Sequence, residues 1–228
     1  MAESALMWWM RDEGQNVCWI DEMTLDACHH AFESFLWFQY LRAEQGTARH
    51  AAALDLCKAR NLIRVHANER DDKGEVPLVV LAARGGNARD VRLLLDAGAD
   101  VNDGVPLHLA SLQGHIDIVN ALVSGGANLN LATKHDGSTA VFMASFHGHA
   151  NVVEELFRRG ADMNQARTDG STPLWIASEK GHSDVVDALI RCKVDVDKAT
   201  LEGCSPLGIA RHKGHLYVVE ALLRCGAS

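Results

Sequence analysis

The 228-residue sequence contains no apolar run that could cross a bilayer, which takes about 18 or more consecutive apolar residues. It also lacks a secretory leader. The short apolar stretch 6–10 lies between Glu3 and Arg11, without the positively charged start and the small-residue cleavage site that a leader needs. We therefore expect no membrane span and an intracellular, cytoplasmic location, with the nucleus as an open alternative.

Basic residues are too few for a broad nucleic-acid footprint. The chain has 22 Lys and Arg against 30 Asp and Glu, a net charge of −8. A negative excess repels nucleic-acid phosphates and anionic lipid headgroups alike. We therefore predict neither a nucleic-acid partner nor a membrane partner.

Motifs that carry chemistry are also missing. The chain has no Gly-x-Ser-x-Gly, no phosphate loop ending in Gly-Lys-Ser or Gly-Lys-Thr, and no His-Glu-x-x-His. Its six cysteines include no Cys-x-x-Cys pair, and a chain of this size without an export signal is not expected to carry a disulfide framework. We predict a protein that is not an enzyme and has no cofactor.

What the sequence does contain is an internal repeat. Three independent markers recur at spacings of 28 or 29, 34, 33 and 33 residues. Agreement between three markers identifies a repeat architecture. The first is Gly86, Gly114, Gly148, Gly181 and Gly214, the last four followed by histidine; the second is Gly98, Gly126, Gly160, Lys193 and Gly226; the third is Pro77, Pro106, Ala140, Pro173 and Pro206.

Each unit predicts two short helices. Thr172 can cap a helix that Pro173 begins, and Gly181 ends it. A second helix follows, with an apolar stripe such as Val185, Val186, Leu189 and Ile190. A single unit cannot bury that stripe, whereas stacked neighbours can.

These motifs resemble the ankyrin repeat. The closest match is the run 169–174 with Gly181-His182 and the segment 160–164. The resemblance implies an all-α solenoid of stacked helix–turn–helix units joined by short β-hairpin fingers. Five repeats are expected at about 72–102, 103–130, 131–164, 165–197 and 198–228.

The first repeat departs from this pattern. Its first helix is expected to carry one extra residue between Pro77 and Gly86, and the linker 102–106 is five residues shorter than its counterparts. We predict that the finger there is blunted or absent. Asp90 occupies a stacking position that holds Ile or Val in later repeats, which suggests partial exposure or a nearby partner.

The two ends of the array differ. Residues 1–71 are expected to form a helical segment that covers the apolar end of the stack, either degenerate ankyrin-like repeats or a separate helical cap. The last second helix has no comparable cover. A fragment, oligomerisation and simple tolerance of the exposed end all remain open, and a monomer is the expectation.

Twelve histidines raise the question of a metal site. Those of the Gly-His pairs occupy a structural position, and the resemblance implies that their rings join hydrogen bonds between repeats. His108 completes Pro106-Leu107-His108, the only retained instance of that family motif. We therefore predict no metal site. Cys192 and Cys225 occupy equivalent positions and are expected to stack as free thiols.

The resemblance further implies that partners bind a concave groove formed by the finger tips and the ends of the first helices. Phe142 and Trp175 either face that groove as anchors or pack inside the stack, and Phe146 is the preferred anchor. The candidate partner-binding residues are Leu112, Gln113, His135, Asp136, Phe142, Phe146, His147, Thr168, Asp169, Trp175, Glu179, Lys180, Leu201, Glu202, His212 and Lys213.

The leading hypothesis is a non-catalytic scaffold or adaptor that binds an unidentified partner protein through this groove. Two alternatives stay open. One is a substrate-recruiting fragment of a larger enzyme such as a ubiquitin ligase or a kinase. The other is a metal- or redox-responsive array that uses Cys192, Cys225 and the histidines.

Overall fold

The computed structural model describes Asn68 and residues 88–228. Two expectations fall outside these residues. They are the organisation of the N-terminal segment 1–71, apart from Asn68, and the extra residue between Pro77 and Gly86.

Between residues 88 and 228 all regular structure is helical, which confirms the predicted all-α solenoid class. First helices of eight residues alternate with second helices of nine. The helices are α1 (Ala88–Asp96), α2 (Pro106–Gln113), α3 (Ile116–Ser124), α4 (Ala140–His147), α5 (Ala150–Arg158), α6 (Pro173–Lys180), α7 (Ser183–Arg191), α8 (Pro206–Lys213) and α9 (Leu216–Arg224).

The first helices begin where a hydroxyl side chain caps the backbone. Thr139 accepts a hydrogen bond from the amide of Phe142, and Thr172 accepts one from the amide of Trp175 at 3.1 Å. Ser205 does the same for α8. These caps satisfy amides that the first turn of a helix leaves without a partner. The start of α2 differs, because Val105 has a φ of 55° and provides no side-chain cap.

The core is a continuous stack. First helices α2, α4, α6 and α8 pack on one another in chain order, and so do second helices α1, α3, α5, α7 and α9. Small residues let the first helices approach closely. Each of the four first helices contributes one alanine without solvent exposure; these are Ala110, Ala144, Ala177 and Ala210. The second helices contribute leucines that are equally buried; these are Leu122, Leu156, Leu189 and Leu222. Burial of the predicted apolar stripe therefore depends on neighbouring units.

The fingers are tight turns that pair with each other. In each finger the amide of the first residue donates to a carbonyl at the far side, and a glycine amide donates back to the carbonyl of the first residue. The three pairs of bonds are Thr133 to Ser138 with Gly137 to Thr133, Arg167 to Ser171 with Gly170 to Arg167, and Thr200 to Cys204 with Gly203 to Thr200. Adjacent fingers are joined as well, because the amide of Thr168 donates to the carbonyl of Asp136 and that of Leu201 to Asp169. The chain between α1 and α2 makes no such finger. The amide of Val105 donates to the carbonyl of Asn102 in a tight turn, as the shortened linker predicts.

A ladder of side-chain amides and carboxylates joins the turns that follow the second helices. An oxygen of one turn accepts a hydrogen bond of 2.8–3.0 Å from a backbone amide in the next. The five acceptor–donor pairs are Asn68 with Asp100, Asn102 with Asn128, Asn130 with Asp162, Asn164 with Asp195 and Asp197 with Ser228. This ladder ties each unit to its neighbour through polar contacts at one edge of the stack.

For Asp90 the sequence predicted either partial exposure or a nearby partner. Its residue surface is only 2% exposed, so partial exposure is wrong, and the residue does have an interaction partner. Within the part of the chain that the structure describes, no helix is long and apolar enough to cross a membrane.

Candidate functional site

The histidine of three of the four Gly-His pairs holds the end of a first helix in the preceding unit. Nε2 of His149, His182 and His215 forms a hydrogen bond of 2.9 Å to the carbonyl oxygen of Leu112, Phe146 and Glu179, respectively. Those carbonyls belong to the last turns of α2, α4 and α6, which have no intrahelical donor. Three of the predicted groove residues are therefore fixed by the following unit.

The glycine of the pair is needed for the same contact. Gly114 and Gly181 both have a φ of 74°, a conformation that side chains with a Cβ rarely adopt. A Cβ on Gly114 or Gly181 would lie 2.6 Å from the imidazole of the following unit, which packs directly on the glycine. The predicted structural role of these histidines agrees with this geometry.

His108 also has a structural position. Its Nε2 lies 3.0 Å from the carbonyl oxygen of Ser138 in the first finger. The side chain is buried, and burial lowers the pKa of His108 below its ordinary value. A neutral imidazole therefore links α2 to the finger of the next unit.

We call the last two residues of α2, α4, α6 and α8 the helix-end row. Most of its side chains are exposed, whereas Leu112 and Glu179 are half-buried. The row consists of Leu112, Gln113, Phe146, His147, Glu179, Lys180, His212 and Lys213. All eight were predicted as groove residues, and the structure brings them to the same end of consecutive, packed helices.

Phe146 is the apolar residue at the middle of the row, with 37% of its surface exposed. The ammonium of Lys180 lies 4.6 Å from the centre of its ring, within the range of a cation–π contact. The ring of His147 lies 4.9 Å from it in a tilted arrangement. Phe146 thus offers an exposed aromatic surface with a cation beside it.

Glu179 is the acidic residue of the row. Its carboxylate lies 3.5 Å from the ammonium of Lys180 and 3.8 Å from that of Lys213. One half-buried carboxylate is therefore shared by two partly exposed ammonium groups. The positive charge of the row is only partly neutralised.

His147 is held neutral by its surroundings. Partial burial and the nearby His149, His182 and Lys180 all lower its pKa below the ordinary value of a histidine. Its ring stacks near that of His149, with 6.3 Å between centroids. Protonation of His147 would add a further cation to the row at acidic pH.

The finger tips carry the other candidates. Leu201 is 80% exposed, and His135, Thr168, Asp169 and Glu202 are also exposed. Asp136 is half-buried and held in place by a polar network. Hydrogen bonds from Thr133 and Ser138, with the guanidinium of Arg167 at 2.6 Å, place the pKa of Asp136 well below its usual range. The first two fingers thus form one rigid unit.

The structure decides between the two placements predicted for Phe142. Only 3% of its surface is exposed, and the guanidinium of Arg167 lies 5.0 Å from the centre of its ring. Phe142 therefore packs inside the stack and is not a groove anchor. Trp175 is half-buried, and its indole nitrogen is buried without a hydrogen bond to the described residues.

Two basic residues near the row were missed at the level of sequence. Arg167 links Asp136 to Phe142 and also lies 3.7 Å from Asp169. Arg211 is exposed in the last turn of α8, directly before the row. The run Arg211-His212-Lys213 is itself visible in the sequence. Arg211 stands at the position that holds the buried Ser111, Ser145 and Ser178 in the other first helices, and it is exposed in α8, beside the row.

The cysteines within residues 88–228 are free thiols. They are Cys192, Cys204 and Cys225, and burial raises the pKa of Cys192. In the same part of the chain, no three or more His, Cys, Asp or Glu side chains lie close enough together to hold a metal ion. Cys192 lines a shallow cavity on α5 and α7 with Phe157, Glu154 and Arg191. We call the second helices α5, α7 and α9 the outer helices.

Comparison with known families gives one match to this chain. A family model described as ankyrin repeats in three copies matches residues 48–133, 79–167 and 141–228. The matches overlap and together cover more than half of the chain, including every helix described above.

Proposed function

The chain belongs to the ankyrin repeat family, whose members are generally non-catalytic protein–protein interaction modules. We propose that it acts as a scaffold or adaptor that binds a partner protein through the helix-end row and the fingers. The observation that carries the proposal is Phe146. It is an exposed aromatic residue in a row that the following unit holds rigid.

Rigidity supports binding because less conformational entropy is lost on association. The carbonyl of Phe146 is fixed by His182, and that of Glu179 by His215. The fingers are joined by backbone hydrogen bonds and by the pair Arg167–Asp136. A partner would therefore meet a preformed surface.

The aromatic and cationic side chains of the row are of the kinds that supply interface energy. Truncation of a central aromatic residue can cost about 2 kcal/mol or more of binding free energy. Phe146 with Lys180 beside it has this character, and Leu201 adds an exposed apolar tip on the last finger. Trp175 offers a smaller contact surface, because its side chain is half-buried in the stack.

The histidines that hold the row in place, and the carboxylate within it, support a role without catalysis. His149, His182 and His215 are committed to backbone carbonyls, and the carboxylate of Glu179 is shared between two lysines. A general base needs a free position toward a substrate. These side chains instead stabilise the stack and shape the surface.

Affinity capture from cells tests the proposal. The bait is the whole chain, compared with a Phe146→Ala, Trp175→Ala variant and with Phe157→Ala, which removes an exposed aromatic side chain from the outer helix α5. We expect the Phe157→Ala bait to retain its partners and the double variant to lose them. Equal recovery by all three baits would show that the helix-end row is not the binding surface.

A further inference from the structure

The helix-end row is a basic surface on an acidic protein. Within the described residues, the ends of α6 and α8 carry Lys180, Arg211 and Lys213, with His212 among them. Only Glu179 opposes them within the row, and it is 22% exposed at its side chain. The whole chain nevertheless has a net charge of −8.

The acidic residues of the repeats lie on other elements. Helices α5, α7 and α9 carry Glu154, Glu155, Asp184, Asp187 and Glu220, and all five accept hydrogen bonds or ion pairs from residues of the second helices. Further carboxylates accept hydrogen bonds in the turns after the second helices, Asp162 and Asp195 within their own turn and Asp197 in the ladder between turns. Counted with Arg158, Arg191 and Arg224, helices α5, α7 and α9 have a net charge of −2, whereas α4, α6 and α8 have a net charge of +2 from Lys180, Arg211 and Lys213 against Glu179. This difference attracts an approaching acidic molecule to the row.

We propose, resting on the function proposed above, that the partner segment that binds the helix-end row is an acidic stretch of polypeptide that carries an apolar residue for Phe146. The carboxylates of the segment pair with Lys180, Arg211 and Lys213. Its apolar side chain covers the exposed face of the Phe146 ring. Charge complementarity selects acidic segments, and the contact with Phe146 determines which residue of the segment lies at the middle of the row.

The contacts within the row leave its lysines accessible to the carboxylates of a partner. Glu179 lies 3.5 and 3.8 Å from its two lysines, distances longer than a direct charged hydrogen bond. A carboxylate from a partner can therefore approach Lys180 or Lys213 without first breaking a short ion pair. Arg211 and His212 make no ion pair with the described residues and remain available.

The carboxylates at the finger tips limit the basic zone. Asp169 lies near Arg167, and Glu202 is exposed at the last finger. An acidic segment is therefore directed along the helix ends and away from these two tips. Lys134 and His135 on the first finger are exposed and extend the basic zone at one edge.

Selection from a display library of random linear peptides tests the proposal with the whole chain as target. We expect the recovered peptides to carry several Asp or Glu residues around an apolar one. Synthetic copies are then measured by fluorescence anisotropy against Lys180→Glu, Lys213→Glu and against a control, Arg158→Glu, Arg224→Glu. The two variants change the net charge equally, and the control arginines on α5 and α9 are more exposed than the lysines, 68% and 62% against 38% and 44%.

The charge-reversed row is expected to lower the association rate of the peptides about tenfold or more, with a reduced dependence on salt, whereas the control stays near the wild type. Thermal melts of both variants verify that they fold. If the peptides are sensitive to Phe146→Ala but are neutral or basic, or ignore the lysine substitutions, the surface is right and the inference is wrong.

Two further outcomes overturn the inference. Peptides that bind Phe146→Ala as well as the wild type, or a library that returns no peptide sensitive to this substitution, contradict the proposed function together with the inference. A single-stranded thymidine oligonucleotide that binds the row and displaces the selected peptides indicates a nucleic-acid occupant, and the acidic polypeptide is then wrong.

Discussion

The imidazole of His215 packs on Gly181 at a distance that excludes any side chain there, and its Nε2 bonds to the carbonyl oxygen of Glu179 at 2.9 Å. One residue thus joins two units and fixes the end of the helix that presents Glu179 and Lys180. Stacking and the geometry of the helix-end row depend on the same contact.

Gly181→Ala and Gly214→Ala separate this contact from backbone strain. Both glycines have similar φ values, 74° and 77°, so each alanine costs about 1–2 kcal/mol for its left-handed conformation. Only at Gly181 would the new Cβ also displace a histidine, because nothing lies within 4 Å of a Cβ at Gly214. We expect Gly181→Ala to lose about 1 kcal/mol more of the unfolding free energy, measured by urea denaturation. Equal losses would contradict the role given to His215.

The polar ladder between turns predicts a difference between two substitutions at one position. Asn130 accepts a hydrogen bond from the amide of Asp162 through its side-chain oxygen, and Asp197 provides the same acceptor in the last turn. Asn130→Asp retains the acceptor and is expected to change stability little. Asn130→Ala removes it and is expected to cost about 1 kcal/mol of the unfolding free energy. Equal thermal melting of the two variants would show that this side-chain oxygen contributes nothing.

Asp136 predicts how the stability of the fingers responds to acid. Its pKa is held well below the ordinary value, first by Thr133 and then by Ser138 and Arg167. A depressed pKa in the folded state means that the stabilisation is present above the unfolded value, about 4, and is lost as the pH falls through the folded one. Wild type is therefore expected to be more stable than Asp136→Asn at pH 7, and the difference is expected to shrink as the pH falls below about 4. Urea denaturation at a series of pH values measures it, and a constant difference would contradict the network.

The helix pairs could be predicted from sequence because their signals are local. Thr172 and Pro173 define the start of α6, and Gly181 defines its end, since capping, a fixed φ and a left-handed glycine act within a few residues. The missing finger at 102–106 followed from chain length alone. The repeat period then identified the stacking stripe.

Other features depend on the neighbouring unit and were not visible locally. The burial of Phe142 depends on Arg167, which comes from the finger of the next unit. Burial of Asp90 was likewise not readable from its position in the stripe. The charge of the helix-end row became apparent only when α4, α6 and α8 were placed side by side.

The central claim is that partners bind the helix-end row, and site-specific photo-crosslinking in cells tests it most directly. A photoreactive amino acid is placed at His147 in the row or, as a control, at Arg158 on the outer helix α5, and both positions are exposed. We predict that the probe at His147 captures a partner protein whose crosslinked segment is acidic, and that the probe at Arg158 does not capture it. Capture of the same partner from Arg158 but not from His147 would contradict the account.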